Sequence, residues 1–219
     1  MSTERWEIGP VLSRAWRLFT DNLGIILGAM FVMAIINLTF TGVERNLDAL
    51  IGGSSGLAAL LLGPIRVGVS LAGWVVSVFL SLGLIRLMLN LIRGGSATFA
   101  DLFSGGRYLF PGVAASLLVG GGVLLGLIAL IVPGVILGLG WMFSQALIVD
   151  RNMGPIEAMQ ASWNLTRGEK GGLLLWMLVC AGICLLGAMA CGVGLFVAAP
   201  ICGLGTLMIY EDLLDREAA

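Results

Sequence analysis

The chain has 219 residues, 58% hydrophobic and only 11% charged, with a mean hydropathy of +1.03. Soluble domains carry about 25% charged residues, so this composition excludes a water-soluble globule of the same length. A net charge of −1 gives a nucleic-acid partner no electrostatic support, and the absence of histidine excludes histidine-based catalytic triads and the commonest zinc sites.

Residues 7–21 come first. Ile8, Val11, Leu12, Ala15, Trp16 and Phe19 recur at helical spacing, with Glu7, Ser13, Arg14 and Arg17 mostly opposite. That pattern predicts an amphipathic helix lying in the headgroup layer, and Gly9-Pro10 suits its start. The mixed charges ahead of the first apolar run, and the length of that run, do not match a cleaved signal peptide, so the first span is expected to be retained. Residues 22–43 are uncharged. Since about 20 residues cross a bilayer, span one is placed at 23–41. An outer loop is expected over 42–65, with Glu44, Arg45 and Asp48. Arg66 and Arg86 then bracket an apolar run about 30 Å long as a helix, which places span two at 67–90, each arginine reaching its own headgroup layer. Within 96–110, Thr98 and Asp101 can cap a short turn that buries Phe99, Leu102 and Phe103, with Gly105-Gly106 ending it.

Residues 108–149 carry no charge; as one helix they would measure about 63 Å, twice the bilayer. Pro133-Gly134 is the expected break, giving spans at 112–132 and 135–149. The segment 154–168 again opens with Gly-Pro and sets Ile156, Met159 and Trp163 on one face, away from Glu157, Gln160, Asn164 and Arg167. Residues 171–210 are also uncharged. A fold-back at Gly192-Val193-Gly194 gives spans at 171–191 and 195–210, with a kink at Pro200. Cys180, Cys184, Cys191 and Cys202 lie here as small packing residues; a soft-metal site is the alternative reading of the Cys180/Cys184 pair.

The expected fold class is therefore all-α: a single domain over 1–219, a polytopic transmembrane bundle of about six spans arranged as hairpins, each preceded by an amphipathic interfacial segment. The first and third segments share Trp-x-Leu, at Trp16–Leu18 and Trp163–Leu165, but are expected in different registers, because the distance from the proline differs by two. Small-xxx-small pairs such as Gly24/Gly28, Gly122/Gly126 and Gly134/Gly138 permit close helix approach. One side of the membrane receives Arg5, Arg14, Arg17, Arg86, Arg93, Arg107, Arg151, Arg167, Lys170 and Arg216, the other only Arg45 and Arg66. The positive-inside rule puts both termini in the cytoplasm.

No ionisable residue falls at the middle of a predicted span, which weakens an ion-coupled pump. No catalytic residue, metal site or cofactor is expected. The candidate partner or headgroup-binding residues are Arg14, Trp16, Arg17, Asp150, Arg151, Glu157, Trp163 and Arg167, because aromatics and cations together at an interface fit lipid headgroups or a partner. Mechanical anchoring of the hairpins is the alternative. Asp150, Arg151, Glu157, Trp163 and Arg167 are expected to form one connected site. The expected partners are membrane lipids, with a membrane-protein partner or a second copy of the chain as further alternatives.

The stretch from Ile131 to Gly168 contains a Pro-Gly hairpin, Val-Asp-Arg at 149–151 and a Glu-Ala…Ser-Trp…Leu-Thr-Arg-Gly segment. It resembles a broad group of bacterial membrane proteins. That group includes the membrane domain joined to some glycerophosphodiester phosphodiesterases, and related stand-alone six-helix proteins. The resemblance implies a bacterial inner-membrane bundle and supplies no mechanism. The histidines and metal-binding carboxylates of those catalytic domains have no counterpart here, so their activity is not carried over. The expected function is a non-enzymatic scaffold, accessory or lipid-handling module acting through its cytoplasmic face; the alternative is a channel or permease for a small or apolar solute.

Overall fold

The structure, a computed structural model, describes residues 6–52, 56–189, 192 and 194–218. It is all-α among them: α1 (Ile8–Asp21), α2 (Leu23–Gly52), α3 (Gly56–Ile92), α4 (Phe99–Leu102) continued by a 3-10 turn (Phe103–Tyr108), α5 (Leu109–Ala129), α6 (Ile131–Gly140), α7 (Ser144–Arg151), α8 (Pro155–Leu165), α9 (Lys170–Met189) and α10 (Leu195–Ala218). Among the described residues six stretches are long and apolar enough to cross a membrane: α2, α3, α4 with α5, α6 with α7, α9, and α10.

The spans pair as hairpins with distinct inner and outer members. In the most apolar window of α10, 61% of residues are buried, and in those of α3 and α6–α7, 44%; in α2 and α5 the share is 11%. The second helix of each hairpin thus builds the interior, and the first faces outward. Each interfacial segment packs on the hairpin that precedes it, cyclically. The α4 turn lies on α3, α8 lies on α5–α7, and α1 closes the ring on α10. At each junction the inner helix offers a glycine. A Cβ at Gly83 would lie 1.8 Å from the Leu102 carbonyl oxygen, one at Gly140 2.3 Å from the Trp163 ring, and one at Gly205 2.5 Å from the Trp176 ring with Val11 next to it. Apolar transfer gives helices little reason to associate inside lipid, so such close packing holds the bundle together.

Several boundaries differ from the sequence expectation. The expected outer loop 42–65 is mostly helix: α2 runs on to Gly52 and α3 begins at Gly56, with Gly53, Ser54 and Ser55 outside the described residues. At 30 residues, α2 spans about 45 Å, so it overshoots a bilayer, and Asp48 pairs with Arg66 across the two extensions. The hairpin break expected at Pro133-Gly134 sits earlier, at Leu130, which is extended (φ −166°, ψ 145°). Pro133 falls in the first turn of α6, where its missing N–H would have had no partner anyway. Gly126 and Gly134 then meet backbone to backbone. The fourth span is not continuous either, because a turn at Trp141–Phe143 separates α6 from α7. Pro200, by contrast, lies inside an unbroken α10. The capping expectation at the second segment holds, since the Thr98 N–H and hydroxyl both donate to Asp101 Oδ2, at 2.8 and 3.1 Å, but of the three residues expected beneath the turn only Leu102 is buried, and Phe99 and Phe103 are exposed. Of the expected fold-back at 192–194, Gly192 has φ +77°, and Val193 lies outside the described residues, as does Cys191 in span five.

The two Trp-x-Leu segments share one frame. With Trp16 set on Trp163, the helix starts Ile8 and Pro155 coincide, and the buried residues Val11, Ala15 and Phe19 fall on Ala158, Ser162 and Thr166, which are also buried. The tryptophan keeps the register; the proline merely occupies different positions in the first turn.

Candidate functional site

At the arginine-rich end the three inner helices converge on one charge cluster. Arg93 follows the last turn of α3, where a cation is favoured by the helix dipole. The chain leaves it through Gly94 at φ +72°, a conformation open to glycine. Asp150 lies in the last turn of α7, and Tyr210 and Glu211 on α10. Arg93 Nη1 donates to Asp150 Oδ1 at 2.6 Å and its Nε to Glu211 Oε1 at 2.9 Å, with Nη2 in an ion pair 2.8 Å from the same Glu211 oxygen. The Tyr210 hydroxyl donates to Asp150 Oδ2 at 3.0 Å. The Asp150 side chain is only 9% exposed; a carboxylate so enclosed is tolerable only when its oxygens are bonded. The hydrogen bond to Asp150 raises the Arg93 guanidinium above its ordinary value against the opposing effect of burial. Arg93 at the end of α3, Asp150 on α7 and Tyr210 with Glu211 on α10 make this cluster.

Directly beneath it is a cavity of about 320 Å³. Each inner helix contributes a polar side chain to its wall: Ser81, Gln145 and Thr206, among Met30, Met88, Met142 and Phe143. Phe143 also stacks obliquely on Tyr210, with ring centroids 5.6 Å apart, so cavity and cluster share a wall. The polar groups are engaged within the bundle. Gln145 Nε2 donates to Ser116 Oγ at 2.9 Å, Ser81 Oγ to the Ser77 carbonyl at 2.8 Å, and Thr206 Oγ1 to the Cys202 carbonyl at 2.8 Å while accepting the Trp176 N–H.

Two grooves flank the bundle where interfacial helices meet hairpins. The first, about 770 Å³, runs between α1 and the α9–α10 hairpin. Leu12, Ser13, Trp16, Arg17 and Thr20 line one wall and Ile183, Val197, Ala198 and Ile201 the other. The second, about 610 Å³, runs between α8 and the α5–α6 hairpin, with Met159, Gln160, Trp163 and Asn164 facing Leu118, Leu137 and Trp141. In the tryptophan frame the α1 and α8 walls match position for position: Leu12, Ser13, Trp16 and Arg17 on Met159, Gln160, Trp163 and Asn164. Trp163 packs on Trp141, with centroids 6.4 Å apart, and carries Lys170 Nζ 3.4 Å from its ring centroid, a cation–π contact. Below it, Ser162 ties α8 to the α6–α7 break. Its hydroxyl donates to the Gly140 carbonyl at 2.8 Å and accepts the Phe143 N–H at 3.2 Å.

The structure disperses the residues that the sequence singles out. Asp150 is at the centre of the charge cluster, with Arg151 exposed beside it. Glu157 accepts the Gly154 N–H at 3.3 Å and so closes the start of α8. Trp163 belongs to the second groove. Arg167 is exposed, and no described carboxylate pairs with it. The single connected site expected from Asp150, Arg151, Glu157, Trp163 and Arg167 is therefore divided: no side-chain bond among the described residues links Asp150 to the other three α8-side residues. Arg14 pairs with Asp212 at 2.9 Å, whereas Trp16, 53% exposed, and Arg17 both face the first groove. Sequence reasoning missed Arg93, Tyr210 and Glu211 as site residues. Their signal is modest: each stands at the end of a long apolar run, where any charge can be read as a boundary. No group of three or more Cys, Asp or Glu among the described residues could hold a metal ion.

The chain is a distant homologue of bacterial proteins over nearly its whole length. Uncharacterized protein Rv2560 of Mycobacterium tuberculosis is 23% identical over 97% of this chain and 70% of its own length. Uncharacterized protein Mb2590 of Mycobacterium bovis matches with the same identity and coverage. No family model matches the chain, and no solved structure matches it significantly.

Proposed function

We propose that this multi-span membrane protein is a non-enzymatic module of the bacterial inner membrane that handles lipid through its cytoplasmic interfacial face, and that it is akin to the membrane domain joined to some glycerophosphodiester phosphodiesterases. One observation carries the reading: the groove between interfacial helix and hairpin occurs twice, with aromatic, apolar and polar positions in the same frame. A groove with an apolar floor and a tryptophan at its rim fits an acyl chain below and a headgroup above. The basic end faces the cytoplasm in this reading, which sets the rim at the inner leaflet. A membrane-protein partner or a second copy of the chain would meet the same face.

The central cavity favours a second reading, passage of a small solute. Its support is weaker, because Ser81, Gln145 and Thr206 each already have a partner inside the bundle and the charge cluster closes the cavity's basic end. Native mass spectrometry of the full chain released from bacterial membranes separates the two. Lipid that survives detergent washing, one molecule per groove, is the expected result. A chain stripped bare, or one that conducts small solutes across otherwise tight vesicles, overturns the lipid reading.

A further inference from the structure

The first groove differs from the second in charge, and the difference falls on one position. Where α8 has the neutral Asn164, α1 has Arg17. Among the described residues no carboxylate pairs with the Arg17 guanidinium: Arg14, one turn back, takes Asp212, and Asp21, one turn on, forms no ion pair with Arg17. The hydroxyls beside it are occupied as donors, Ser13 to the Pro10 carbonyl at 2.9 Å and Thr20 to the Arg17 carbonyl at 2.8 Å. Among the described residues that line this rim, the charged donor is thus Arg17, above an apolar floor of Val197, Ala198 and Ile201. A cation left without a partner at the rim of an apolar groove is matched by an anion that brings its own hydrocarbon.

We propose that the α1 groove is a binding site for an anionic phospholipid, its acyl chain along the α9–α10 face and its headgroup phosphate on Arg17. This rests on the lipid-handling reading and adds the headgroup class. A guanidinium offers a phosphate paired charge-assisted donors, and a basic side chain near an anionic headgroup layer contributes enough for about a fivefold preference. The Trp16 indole at the same rim supplies an amphipathic wall.

The test uses the full chain reconstituted in vesicles of equal phosphatidylethanolamine and phosphatidylglycerol, then released for native mass spectrometry. Wild type is expected to retain phosphatidylglycerol over phosphatidylethanolamine at about five to one, against one to one in the vesicles. Arg17→Gln is expected to lose that preference while retaining as much total lipid. Arg107→Gln, which alters a cation outside the groove, is expected to leave it unchanged. Gly9→Leu should remove one retained lipid without touching Arg17, since a Cβ there meets no atom within 4 Å and the added side chain enters the groove. Retention at the vesicle ratio overturns the headgroup assignment and leaves the lipid reading standing. A preference that persists in Arg17→Gln, or falls equally in Arg107→Gln, overturns the site. Absence of any retained lipid overturns both readings.

Discussion

Arg93 satisfies two carboxylates with one guanidinium, and the most enclosed of the three, Asp150, decides what the cluster costs when it is broken. Removing Arg93 leaves the Asp150 carboxylate with the Tyr210 hydroxyl and no cation in contact, and hydrogen bonds to charged groups contribute about 1.5–3 kcal/mol each. Arg93→Gln and Asp150→Asn are each expected to lower stability by about 2 kcal/mol, and Tyr210→Phe by about 1 kcal/mol. Denaturant or thermal midpoints in one detergent measure this, with Arg167→Gln as an exposed control expected to stay within about 0.5 kcal/mol of wild type. The double variant Arg93→Leu with Asp150→Leu should cost less than the two single changes added together, because no buried charge is left alone. Additive losses would mean that the two residues act separately, and that the contact seen between them contributes nothing of its own.

Among the elements, the inner helices are set by where the chain can approach closely. Gly83 admits the Leu102 carbonyl, Gly140 the Trp163 ring and Gly205 the Trp176 ring. Gly83 is the least forgiving, since what a Cβ would meet there is backbone. Gly83→Ala is expected to cost about 1–3 kcal/mol through overpacking, whereas Gly68→Ala, on a part of α3 where a Cβ meets nothing within 4 Å, is expected to be neutral or slightly stabilising. Comparing the two melting temperatures checks the assignment; equal values would place the α4 turn off α3. These contact glycines could not be singled out in the sequence, because 33 glycines are spread along the chain and composition does not say which ones face a neighbour. The spans themselves were legible, because uncharged runs at least a bilayer long have few other readings. Their ends were less so. Pro133 read as a break and turned out to open a helix; Glu44, Arg45 and Asp48 read as a loop and lie on helix that outruns the bilayer. The turn at Trp141–Phe143 has neither glycine nor proline within it, so nothing local announces it; the Ser162 hydroxyl, from another helix, satisfies the Phe143 N–H there.

At the scale of the whole molecule, three interfacial segments and three hairpins close into a ring, and the central cluster draws on the end of every inner helix: Arg93 after α3, Asp150 on α7, Tyr210 and Glu211 on α10. The sequence order of segment and hairpin was legible, and the first groove was half visible in the spacing of Leu12, Trp16 and Arg17. The meeting of Arg93, Asp150 and Glu211 was not, because it depends on how the hairpins assemble, and each charge taken alone marks only a helix end. The ring also bears on orientation. Asp212, Glu169 and Glu211 join Arg14, Arg216 and Arg93 at one end, so the ends of all three hairpins and α1 gather at one end of the bundle. The Asp48–Arg66 pair lies at the other end. An even number of spans returns the chain to its starting side, and in the proposed orientation the basic end, with Arg107, Arg151 and Arg167, faces the cytoplasm by the positive-inside rule. In a chain with Cys180, Cys184, Cys191 and Cys202 replaced, Asn46→Cys should react with an impermeant maleimide in intact cells, and Arg167→Cys only after the membrane is opened. The spacing of the two positions makes the result decisive: Asn46 lies on the part of α2 that outruns the bilayer, and Arg167 on the exposed turn between α8 and α9. Labelling of Arg167→Cys from outside, with Asn46→Cys protected, would invert the molecule, place the grooves at the outer leaflet and remove the cytoplasmic part of the proposed function. Labelling of both from outside would mean that one of the apolar helices does not span.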